Sequence, residues 1–167
     1  MQAVENKNLK ASSNLLNPYN FESFDSDVSY HFTTDGGIQY SLALGDYSDL
    51  FGLTDSFECR IFFFVVTRLN RPKKAFIDRR IRDTIIHFSM EYLDKNPNII
   101  YYVCSNLDNK ERARQAMFDE WFESSGRKDI RKEKRIIEEG EGYFLFKENN
   151  QLAIEILGEI DKYINLP

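Results

Sequence analysis

The chain has 167 residues, a net charge of −5, and 42% hydrophobic and 14% aromatic residues, enough for one domain with a sizeable core. No stretch reaches the length of a membrane span, and two cysteines 45 residues apart with two scattered histidines match no zinc motif. An acidic chain of this kind does not have the profile of a general nucleic-acid binder.

Residues 1–20 are polar and Asn-rich, with no basic start followed by an apolar core, so they read as an arm rather than a leader. The chain is expected to be soluble and cytoplasmic, with one mixed α/β domain over residues 21–167. Val28, Tyr30 and Phe32 alternate with polar residues as a strand does. Asp35-Gly36-Gly37 then predicts a hairpin turn, with Ile38, Tyr40, Leu42 and Leu44 returning. A loop follows to Ser56, with Leu50, Phe51 and Leu53 able to pin it down. Cys59–Arg68 is apolar on both faces, the pattern of a central strand.

From Phe76 to Leu93 the period becomes helical, with Ile81, Ile85, Phe88 and Tyr92 on one stripe and Pro97 as the stop. Asn98–Cys104 is a fourth strand. Asp108 and Glu111 have the spacing of a capping box for a second helix running to Ser125, with Gly126 at its end. In that helix Trp121 and Phe122 read as core residues. Segments 131–139 and 141–148 read as a hairpin around Gly140 and Gly142, and Leu152, Ile156 and Ile160 as a last helix. The order is β-β-β-α-β-α-β-β-α, a single mixed β-sheet in an α/β (α+β) fold. The crossover-length link predicts that the third and fourth strands are parallel neighbours. Cys59 and Cys104 lie in apolar runs and are expected to be buried thiols.

The charge layout is uneven. Residues 68–82 hold seven Lys/Arg against one Asp, and residues 127–135 hold six against two acids, whereas both ends of the chain are acidic. A buried strand thus leads through a cationic loop into a helix start, a common place for anions. The candidate anion or cofactor site is Arg68, Arg71, Lys73, Lys74, Arg79 and Arg80, joined by Arg112 and Arg114 after the fourth strand. The alternative is a solvated basic loop. Cations at a helix start oppose its dipole unless an anion or Asp78 offsets them. Asp83, His87 and Glu91 share one helical stripe, but a polar solvent face explains them better than a metal site, and no metal is expected.

The element order resembles the core of the GNAT acetyltransferases over roughly Val28 to Phe146, without the helices that follow that family's first strand. The resemblance implies a pyrophosphate-binding loop of the pattern Gln/Arg-x-x-Gly-x-Gly/Ala at Arg68-Leu69-Asn70-Arg71-Pro72-Lys73-Lys74-Ala75. Both glycines are absent there, and Pro72 removes a backbone donor. The family's Tyr-x-x-Gly-Phe, which supplies a general acid, aligns with Phe118-Asp119-Glu120-Trp121-Phe122, where a phenyl ring replaces the phenol. The Arg-rich helix ending in Phe-x-x-Trp-Phe, Arg112 to Phe122, also resembles small bacterial families of unknown function. The expected function is therefore a non-catalytic binding or regulatory module on a GNAT-like core. Its partner would be a protein, a second copy of the chain, or a phosphate-bearing small ligand. A divergent N-acyltransferase using acetyl-CoA or another acyl-CoA is the alternative. Size and basic patches also fit a component of a toxin–antitoxin system.

Overall fold

A computed structural model of the chain describes residues 16–24, 29–53, 58–71, 78–105, 109–137 and 140–164. Within them seven strands form one sheet: β1 (Glu22–Ser23), β2 (Ser29–Thr33), β3 (Gln39–Asp46), β4 (Ile61–Arg68), β5 (Ile99–Val103), β6 (Ile130–Ile137) and β7 (Gly140–Lys147). Three α-helices accompany them, α1 (Arg79–Lys95), α2 (Glu111–Ser124) and α3 (Gln151–Ile164). Among the described residues the elements beyond those expected are β1 and a 3-10 turn over Ser48–Phe51, both too short to leave a periodic signal.

The strand order is β1-β2-β3-β4-β5-β7-β6, so β4 is the middle strand. It is antiparallel to β3 and parallel to β5, as the crossover through α1 requires. The other pairings are antiparallel. Gly37, at a φ of 75°, lets the β2–β3 hairpin turn tightly, and its N–H bonds the Thr34 carbonyl at 2.8 Å. At Gly142 a Cβ would lie 2.7 Å from Tyr101 Cε2, so only glycine lets that ring lie flat against β7.

Two apolar layers result. On one face α1, α2 and the segment 16–21 cover Leu42, Leu44, Phe64, Ile100, Tyr102 and Leu145. On the other, Ile156, Leu157 and Ile160 of α3 cover Ile61, Ile99, Tyr101, Phe144 and Phe146. Phe144 and Phe146 are wholly buried, each contributing roughly 1.5–3 kcal/mol by leaving water. Cys59 and Cys104 are buried free thiols, as expected, and burial pushes both above the usual thiol range. Of the loop pins, Phe51 and Leu53 pack inward, but Leu50 stays 58% exposed because the 3-10 turn points it outward.

Three sequence readings need revision. The start of α2 lies beyond the position that a capping box over 108–111 gives it. Asn109 has a φ of 58°, which breaks the helix there; α2 begins at Glu111 after Lys110, which makes no side-chain cap bond. Asp108 itself lies outside the described residues. Trp121 and Phe122 are half-buried at the edge of the first layer rather than inside it, since α2 has no fully buried residue. Asp83 does not face solvent: it is 6% exposed, pairs with Arg82 at 2.8 Å, and accepts the Asn17 N–H at 3.1 Å.

Candidate functional site

The positive end of α1 is already occupied by a carboxylate. Asp78 is the extended residue before the helix, and its Oδ1 accepts the Arg80 N–H at 2.9 Å. Its Oδ2 accepts the Tyr19 hydroxyl at 2.6 Å, and that hydroxyl accepts the Asp35 N–H at 3.1 Å. Burial pushes the Tyr19 phenol above its usual value, further than the Asp35 N–H pulls it down, and the Asp78 and Asp35 carboxylates add to the rise. Asp78 thus supplies the offset that the cationic helix start needs.

Arg80 is committed to the same knot. Its guanidinium lies 3.8 Å over the Tyr19 ring, bonds Asp35 Oδ2 at 3.1 Å, and donates to the carbonyls of Asn17 and Pro18. The Tyr19 N–H in turn bonds Thr84 Oγ1 at 2.8 Å. Arg80 is therefore a clamp on the segment 16–21 and is not available to a ligand. The basic-loop reading missed this because the partners of the Arg80 guanidinium lie 45 or more residues away in sequence.

The other candidates fall into three groups. Lys73 and Lys74 lie outside the described residues. Arg114 is half-buried and donates to the Ser105 carbonyl at 2.7 Å, closing the β5–α2 connection. Arg68, Arg71, Arg79 and Arg112 are exposed. Arg68 donates to the Asn70 carbonyl at 3.0 Å, and none of these four has an ion pair among the described residues. Because β4 and β5 are parallel, the chain positions that follow both strands come to one end of the sheet, and these arginines come with them.

At that end β4 and β5 part. Their ladder runs over Ile61–Ile99, Phe62–Ile100 and Phe63–Tyr101 and then stops. β4 continues to Arg68, paired on its other side with β3 as far as Tyr40. The Tyr47 N–H bonds the Ile61 carbonyl and the Leu69 N–H bonds the Gln39 carbonyl, each at 2.8 Å, so odd-numbered residues of β4 face β3. The even-numbered ones face β5, as the Arg60 carbonyl does in accepting the Ile99 N–H at 2.8 Å. The backbone groups of Val66 and Arg68 therefore point into the split, where no strand of the described residues takes them up. Sequence patterning has no signal for this, because side-chain alternation does not report where a ladder ends.

Phe118 packs against Tyr102 and Trp121 with ring centroids at 5.5 and 5.1 Å. Burial pushes the Tyr102 phenol far above its usual range, so it stays protonated. His87 pairs with Glu91 at 3.4 Å on the outer face of α1, and no group of three metal-ligating side chains occurs among the described residues. A groove of about 900 Å³ lies at the opposite end of the sheet, where Asp94, Lys95, Asp129 and Lys147 line it. There Arg127 and Lys147 bridge Asp94 and Asp129, so the charges neutralise one another.

Residues 77–162, about half of the chain, match the family of unknown function DUF6169. The chain belongs to the DUF6169 family. The match spans α1 to α3 and leaves β1–β4 outside it. For this DUF6169 protein no curated protein and no solved structure matches, and the GNAT resemblance has no family match behind it.

Proposed function

We propose that this protein is a non-catalytic binding module on a GNAT-like scaffold, which takes an anionic ligand at the mouth of the β4–β5 split. What supports this reading is that the exposed arginines Arg68, Arg71, Arg79 and Arg112 stand at the end of β4 or follow β4 and β5 in the chain, and lack ion pairs among the described residues. Guanidinium groups suit phosphate and carboxylate oxygens, and a bound anion would relieve their mutual repulsion. Against retained acyl transfer stand the missing loop glycines, the Asp78 carboxylate at the start of α1 and the phenyl ring of Phe118. Sulfate should raise the melting temperature by more than chloride at matched ionic strength. Sulfate also strengthens apolar burial in general, so the control is the Arg68/Arg71/Arg112→Gln variant, in which the increment should shrink. Equal gains in both proteins would reduce the cluster to a solvated surface.

Two observations favour the alternative, a divergent acyl-CoA-dependent transferase. The strand order and the split parallel pair are what that family's scaffold would have. Calorimetry separates the two readings. Acetyl-CoA binding near about 1 μM, roughly −8 kcal/mol, would favour the transferase.

A further inference from the structure

We infer that the occupant of the β4–β5 split is an extended acidic peptide of a partner protein, added as a strand to the edge of β4 that no described strand takes up. This rests on the reading of the split mouth as an anion site and names its ligand. Three features of one place point to a peptide. The backbone groups of Val66 and Arg68 stand at strand spacing on an edge that no described strand takes up, and an extended chain matches such an edge with alternating donors and acceptors. On one face of that edge Val65 and Leu69 are 37% and 48% exposed, although they belong to or directly follow the middle strand of the sheet. Apolar side chains at alternate peptide positions would cover them as cross-strand partners. The arginines after β4 and at the start of α2 give the same edge a positive end, which selects carboxylates. A compact inorganic anion would use only the last feature.

The test is a selection from a random peptide library displayed against the whole protein, followed by synthesis of the enriched peptides. The expected result is convergence on sequences with apolar residues at alternate positions and Asp or Glu toward one end. N-methylation of alternate peptide nitrogens of one parity should weaken binding about tenfold, because it removes donors to the β4 carbonyls, and methylation of the other parity should not. Arg68/Arg71/Arg112→Gln should weaken binding about as much. Failure of any sequence to converge, or equal sensitivity to both parities, overturns strand addition. Sulfate stabilisation that persists in that case leaves the anion site standing. Loss of both removes the anion site as well.

Discussion

Tyr19 joins three parts of the protein through one hydroxyl and one ring. It is 6% exposed, its hydroxyl bonds Asp78 and Asp35, and its ring stacks on Phe32 and carries the Arg80 guanidinium. Tyr19→Phe keeps both stacking contacts and removes only the hydroxyl, leaving Asp78 Oδ2 and the Asp35 N–H short of a partner. Urea unfolding should show a loss of about 1–2 kcal/mol. A loss under about 0.5 kcal/mol, within the range of ordinary surface changes, would mean that the segment 16–21 is held by its apolar contacts alone. None of this was visible from the sequence, in which Tyr19 sits in a polar stretch read as an arm.

At the scale of elements, the C-terminal end of α1 is fastened to the β6–β7 hairpin by charge. Arg127 bonds both oxygens of Asp94, at 2.7 and 3.1 Å, and both oxygens of Asp129, and Lys147 bridges the same two acids. Hydrogen bonds from Arg127 and Lys147 hold the Asp94 carboxyl at about 2 and push Asp129 lower still. A carboxyl lowered on folding stabilises the protein fully above its ordinary value of 3.8, and that stability is lost as pH falls from about 4 through about 2. Asp94 is 45% exposed, so water screens the pair and the contribution is about 1 kcal/mol. Chemical denaturation from pH 5 to pH 2 should therefore give a flatter acid limb in Arg127→Gln. Identical limbs would mean that the cluster is not coupled to folding. This basic patch at residues 127–135 was legible as charge, but its neutralisation was not, because Asp94 lies 33 residues from Arg127.

Across the whole molecule, the end of the β4–β5 ladder divides one strand into two regimes. Phe62 lies within the paired stretch, whereas the Val66 and Arg68 N–H groups face the split. In hydrogen exchange under native conditions, the Val66 and Arg68 amides should exchange at least about 100-fold faster than that of Phe62. Uniform protection along β4 would show that the edge is covered, and would remove the backbone argument for strand addition. Binding of a selected peptide should bring the two fast amides back toward the rate of Phe62.

The sequence by itself determined the elements and the middle of the sheet. Alternation in β2 and β3, two-faced apolar runs in β4 and β5, and the helical stripe of α1 each reflect local geometry, and a right-handed crossover follows from chain length and chirality. The turn at Gly37 and the end of α2 at Gly126, with a φ of 66°, were equally legible, since backbone conformation is a local property. Tertiary structure alone decided which charges remain available. Arg79 and Arg80 are neighbours in sequence, yet the first is exposed and the second is clamped by Asp35 and two carbonyls. Likewise only the sheet decides that β4 outruns its pairing with β5, because the length of a ladder depends on the directions of two strands 38 residues apart. The proposed site, a backbone edge and charges without partners among the described residues, therefore depends on how every other partner is assigned.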